Sequence, residues 1–244
     1  MSFNATKCET LTITRKTKPL NHIYQVDGHS IVKSSKHKYL GVTINKHLDW
    51  KDHVLNITSS ARCTLGVLRQ NLSSCPIHVK TKAYQALVRP KMEFASAAWN
   101  PYSCEQVNAL ESVQRQAARF VYNNYERTAS VTSMLQRFEW DSLATRRLLN
   151  QGTMFFKIHH GLVNIPFPTV VIPSLRLGRA TNTLSYQPIQ SIVNTYRYSF
   201  FVRTIPIWNR LPQPVIAATT VSQFQTLALP ALRDMATTPT HQSL

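Results

Sequence analysis

Apolar residues alternate with polar ones at the start of the chain, and near Trp50 the pattern changes to a helical repeat. Residues 7–13 (KCETLTI), 22–26 (HIYQV), 29–33 (HSIVK) and 38–44 (KYLGVTI) are short runs rich in β-branched and aromatic side chains, which predicts strands. Asp27 and Gly28 separate the middle two, and both residue types tolerate positive φ, so a hairpin is expected there. So few short strands cannot bury an apolar face by themselves and need a neighbouring layer.

From Trp50 onward, Val54, Ile57, Ala61, Leu65, Leu68 and Leu72 fall within roughly 60° of arc at about 100° per residue, which predicts a helix over 50–72 with that stripe in the core. Asp49 is placed to cap it, and Asp52 in its first turn complements the dipole. Lys51, Arg62 and Arg69 share one edge, either as a solvated flank or as an edge that tracks phosphates. A second helix is expected from Pro76 towards Leu87, with Pro90 kinking or ending it. The segment through Trp99 resumes helical composition and stops at the turn dipeptide Asn100-Pro101.

A third helix has the clearest start signal. Ser103 with Gln106 reads as a capping box and Tyr102 with Val107 as a hydrophobic staple. Its predicted core face is Val107, Leu110, Val113, Ala117, Phe120 and Val121. Helices are also predicted over 131–137 and 141–160, the latter ended by Gly161. Residues 163–195 read as an extended loop with one or two short strands. Residues 198–212 read as an aromatic-rich helix or turn that packs, 221–229 as an amphipathic piece, and 236–244 as a disordered tail.

Charge changes the picture more than composition does. The 244 residues are 43% hydrophobic, enough for a sizeable core, but 28 Lys and Arg stand against 11 Asp and Glu, a formal net charge of +17. A polyanionic partner is the simplest explanation. Lys80, Lys82, Arg89 and Lys91 form a dense basic stretch. Arg115 and Arg119, at i and i+4, share a face on which two guanidiniums could straddle a phosphate, although a contact with Glu111 would account for Arg115 as well. No apolar span or h-region points to a membrane or to secretion, so an intracellular location is expected. Cys8, Cys63, Cys75 and Cys104 are scattered and read as reduced packing thiols.

Independent catalysis is not expected. The chain has no nucleophile elbow, phosphate loop or Asp-Asp dipeptide. Asp49, Asp52 and His53 form a tight cluster, but helix capping and the dipole account for the two aspartates without any ion, and a helix end accounts for His159-His160.

KYLGVTINKHLDW at 38–50, SARCTLGVLRQNL at 60–72, KAYQALVRPKMEFASAAWNP at 82–101, LESVQRQAARFV at 110–121 and YSFFVRTIPIWNRLP at 198–212 occur in an order that resembles a known family. The chain is similar, from about Phe3 to about Ala228, to the C-terminal end of reverse transcriptases encoded by non-LTR (LINE-like, jockey-type) retrotransposons. The resemblance implies an α+β chain with a small antiparallel β unit at the N-terminus, then a mainly α-helical thumb-like bundle and an irregular C-terminal extension. In those terms 1–48 is a remnant of the palm with a primer-grip-like hairpin, 49–162 the thumb, 163–235 the extension and 236–244 the tail.

The expected nucleic-acid-binding residues are Lys38, Tyr39, Gly41, Lys51, Arg62, Arg69, Lys80, Lys82, Arg89, Lys91, Arg115 and Arg119, with an RNA or RNA/DNA duplex as partner. The missing upstream palm is a further expected partner. The intact polymerase would use Mg2+, but the aspartates that hold it are absent here, so no cofactor and no nucleotidyl transfer are expected of this chain alone. The alternative is a non-catalytic interaction scaffold, or a domesticated or decayed retroelement product, using the 198–212 aromatics on a partner.

Overall fold

The computed structural model describes residues 4, 7–14, 16–18, 20, 22–174 and 182–237. Its N-terminal strands are β1 (Glu9–Leu11), β2 (Gln25–Val26), β3 (His29–Ser30), β4 (Val32–Ser34), β5 (Lys36–Tyr39) and β6 (Val42–Asn45). Asp27 (φ 50°) and Gly28 (φ 77°) make the expected hairpin between β2 and β3. β5 and β6 are likewise antiparallel, but β1 and β4 pair in parallel. The long connection over 12–31, which contains the β2–β3 hairpin, carries the chain back to run beside β1 in the same direction.

The single strand expected over 38–44 is broken. Leu40 (φ 45°) and Gly41 (φ 89°) form a two-residue turn, the conformation whose twist matches antiparallel strands. The β unit leaves apolar side chains uncovered, with Leu20 88%, Val32 70% and Leu40 77% exposed.

α1 (Lys51–Asn71) buries Val54, Ala61, Leu65 and Leu68, as the periodicity predicts. Trp50 rather than Asp49 occupies the cap position, but the Asp49 carboxylate still accepts the Lys51 N–H at 3.0 Å. α2 (Ile77–Ala83), a π-helical turn (Tyr84–Val88) and α3 (Arg89–Glu93) follow as one rod. Pro90 does not break it. The wider π turn, closed by the Arg89 N–H on the Tyr84 carbonyl, makes room for a ring that would clash with the carbonyl four residues back in a regular helix.

After Glu93 the chain turns over 94–98 instead of resuming a helix; Ala95 takes φ 53° and the Trp99 indole donates to the Phe94 carbonyl at 2.7 Å. α4 (Cys104–Tyr122) starts after Ser103 as expected, but the Ser103 side chain makes no cap bond and Tyr102 stacks on Tyr198 instead of stapling the helix. α5 (Val131–Arg137) and α6 (Leu143–His159) match their predicted spans closely, and Gly161 has φ 64°. Ser142 Oγ accepts the Thr145 N–H, and Glu111 Oε1 accepts the Ala144 N–H at 2.8 Å, so α4 helps cap α6.

The C-terminal region is more helical than its composition suggests. Past an isolated bridge between Pro173 and Tyr186 come α7 (Asn194–Arg197), α8 (Phe200–Arg210), α9 (Gln213–Ile216) and α10 (Val221–Thr237). Ala236 and Thr237 belong to α10, and the rest of the expected tail, 238–244, lies outside the described residues.

Two cores result. One gathers Val54, Leu65, Tyr84, Trp99, Leu110, Phe120 and Leu143; the other gathers Leu148, Phe155, Phe156, Ile205, Trp208, Phe224 and Leu232. α6 supplies residues to both. No helix among the described residues is long and apolar enough to cross a membrane.

Candidate nucleic-acid interface

The β5–β6 hairpin leans over α1 and α3 and leaves a cleft of about 510 Å³ lined by Lys38, Gly41, Thr43, His53, Asn56, Ile57, Ser60, Pro90, Lys91 and Phe94. Lys38 lies opposite Thr43 in the hairpin register. Lys91 comes from the far end of the α2–α3 rod, and its ammonium donates to Ser60 Oγ (3.3 Å) and Thr64 Oγ1 (2.7 Å) on α1. Both acceptors are neutral, so they position the cation without cancelling its charge.

Gly41 is where the hairpin meets the turn that follows α3. A Cβ there would stand 3.0 Å from Phe94 Cε1, and φ is 89°, so the position needs glycine on both counts. Gly41→Ala is expected to cost about 1–2 kcal/mol, read as a lowered thermal midpoint, and to displace Lys38 with the hairpin. An unchanged midpoint would count against this packing.

His53 forms the floor. It is 2% exposed, Nδ1 accepts the Thr43 N–H at 3.3 Å, and the ring meets Trp99 edge-on at 4.6 Å. That bond places the proton on Nε2, which is buried and has no partner. Burial, aided by the nearby Lys38 charge, pushes its pKa down to about 4. The acids beside it are occupied: Asn45 Nδ2 donates to Asp49 (2.9 Å) and to Asp52 (3.0 Å), and Lys36 pairs with Asp52 at 3.2 Å. The Asn45 and Lys36 bonds hold the Asp52 carboxyl below its ordinary range. Among the described residues, no three His, Cys, Asp or Glu side chains converge as a metal site.

The twelve expected contact residues separate into groups. Lys38, Gly41 and Lys91 meet at the cleft, and Tyr39 stands at the hairpin tip, 61% exposed. Lys51, Lys82 and Arg115 are exposed, and Arg62, also exposed, donates to Ser112 Oγ at 2.9 Å. The others are drawn inward. Lys80 is 4% exposed with its ammonium over the Phe120 ring, Arg89 faces Glu93 at 3.8 Å, and Arg119 donates to the Glu126 carbonyl at 2.7 Å. Arg69 lies over Tyr125 and reaches the Gln116 carbonyl. Glu111, one turn before Arg115, is the acid that caps α6.

Sequence reasoning does not select Thr43, Asn56, Ser60 and Phe94 for the cleft. No local signal marks them, since each is defined by what packs opposite. Comparison with known protein families, with curated proteins and with solved structures finds no match.

Proposed function

We propose that this chain holds the sugar-phosphate backbone of an RNA or RNA/DNA duplex, as the hairpin and thumb portion of a non-LTR retrotransposon reverse transcriptase. The observation that carries the reading is the pair Lys38 and Lys91, set on opposite sides of one cleft with no carboxylate against either, in a chain of net charge +17. A strand passing between them would have its phosphates neutralised from both sides, and Tyr39 at the hairpin tip offers a ring to a base. The chain positions the duplex. Nucleotidyl transfer and Mg2+ belong to a palm that supplies the aspartates, and the uncovered apolar residues of the β unit suit such a neighbouring layer. The four free thiols fit action inside the cell.

The test is binding of a fluorescent RNA/DNA duplex at several salt concentrations. With about six phosphates engaged, log K is expected to fall with log salt at a slope near −5, and Lys38→Ala with Lys91→Ala is expected to make the slope shallower by about 2. Binding that ignores salt, or a double variant with an unchanged slope, would remove the basis for the reading.

The alternative reading as a protein scaffold rests on the aromatics of 198–212. Trp208, Ile205, Ile207 and Leu211 are at most 3% exposed and cannot face a partner, while Tyr198, Phe200 and Phe201 are partly buried. Partners captured from nuclease-treated lysate would favour the scaffold, and their loss the nucleic acid.

A further inference from the structure

Asn100, 6% exposed, sits where the two cores meet and joins two arginines. Its Oδ1 accepts from Arg147 Nε on α6 at 3.2 Å, and its backbone carbonyl accepts from Arg203 Nη1 on α8 at 2.7 Å. Its amide donates to Gln151 Oε1 at 2.9 Å, so Asn100 is itself satisfied.

The arginines are not. Arg147 is 1% exposed, and both Arg147 Nη1 and Arg203 Nε are buried without a hydrogen-bond partner. Burial, joined at Arg203 by the Arg147 charge, lowers the pKa of each to about 10, so both remain cations at neutral pH and Arg203 feels Arg147. All 11 Asp and Glu lie among the described residues, and none pairs with either arginine. The acids that influence Arg147 are committed elsewhere: Glu93 pairs with Arg146, and Glu111 caps α6. Two neighbouring cations, Arg147 buried and Arg203 partly buried, are unfavourable without a counter-ion, and no side-chain carboxylate of this chain supplies one.

Arg203 itself is partly exposed, and aromatic rings lie beside it. The Arg203 guanidinium is 5.7 Å from the Tyr198 ring centroid, and Tyr198 stacks on Tyr102 at 4.1 Å and 5°. Tyr102 is 41% exposed. Stacked rings ending at Arg203, with one unpartnered nitrogen on each of two neighbouring guanidiniums, combine a surface for a base with donors for a tetrahedral oxyanion.

We propose that Arg147 and Arg203 bind the phosphate of a nucleotide whose base stacks on Tyr102. None of these three residues lines the Lys38–Lys91 cleft, so the two sites can fail independently.

The test is the thermal midpoint of the full chain titrated with inorganic phosphate, adenosine monophosphate, acetate or chloride at matched ionic strength. A saturable rise with phosphate is expected, and adenosine monophosphate should saturate at about tenfold lower concentration because of the stacking. Arg203→Lys keeps the charge but loses the fork and should weaken phosphate binding about tenfold. Tyr102→Ala should remove only the advantage of adenosine monophosphate. A response to phosphate no greater than to chloride or acetate overturns the proposal, and these measurements on the unaltered protein decide it even if Arg203→Lys does not fold. An undiminished response in Arg203→Lys, or equal saturation by phosphate and adenosine monophosphate, overturns it too. Lys38→Ala with Lys91→Ala should leave all of these responses unchanged, which separates this site from the duplex-binding cleft.

Discussion

Trp208→Ala is expected to cost about 4 kcal/mol and to lower the thermal midpoint by roughly 10 °C. The indole is 1% exposed, and its Nε1 donates to the Leu184 carbonyl at 2.8 Å. It packs against Phe155 at 4.9 Å, His159 at 5.3 Å and Phe224 at 6.1 Å. Truncation therefore leaves a cavity lined by α6, α8 and α10 and deprives the Leu184 carbonyl of its donor. Because α6 belongs to both cores, the loss should not stay in the C-terminal half. Urea unfolding followed by Trp50, Trp99 and Trp140 fluorescence and by far-ultraviolet circular dichroism should show one transition, moved to lower urea in the variant. Two transitions, with the N-terminal one unmoved, would show that α6 does not couple the cores.

The second large effect is an acid-dependent loss of stability centred on His53. Its folded pKa near 4 lies below the ordinary value of 6.5. Between those values the unfolded chain takes up a proton that the folded chain refuses, so stability rises with pH. The contribution is complete above about pH 6.5 and falls away as the pH drops towards 4, by about 2–3 kcal/mol over that span. The cause is packing: the ring is enclosed by Thr43, Trp50 and Trp99, and Lys38 repels a second positive charge. Urea midpoints at pH 7.5 and pH 4.5 measure it. His53→Gln can still accept the Thr43 N–H but cannot titrate, so its midpoint should fall less over that interval than that of the unaltered protein. Parallel falls in both proteins would show that other groups carry the acid sensitivity.

The second effect also bears on the proposed function. His53 is the floor of the cleft, and its bond to Thr43 ties the hairpin that carries Lys38 to α1. Protonation would place a third positive charge beside Lys38 and Lys91 while loosening that tie. Duplex binding should therefore weaken in acid only where the hairpin is released, and His53→Gln separates the two contributions.

Much of the local structure was legible in the chain. The stripe from Val54 to Leu68 specified α1, Asp27-Gly28 specified a turn, Gly161 marked the end of α6, and the excess of Lys and Arg marked the molecule as cationic. Each rests on periodicity, backbone freedom or composition, which neighbouring residues determine by themselves. The tertiary structure decided the rest. It turned Lys80 onto Phe120 while leaving Lys82 outside, brought Lys38 and Lys91 to one cleft, paired β1 with β4 in parallel, and set Arg147 beside Arg203 without an acid between them. The physical reason is that burial and charge compensation depend on the opposing element. A lysine reads the same in sequence whether its ammonium meets solvent, an aromatic ring or a hydroxyl, and only packing between distant segments makes that choice.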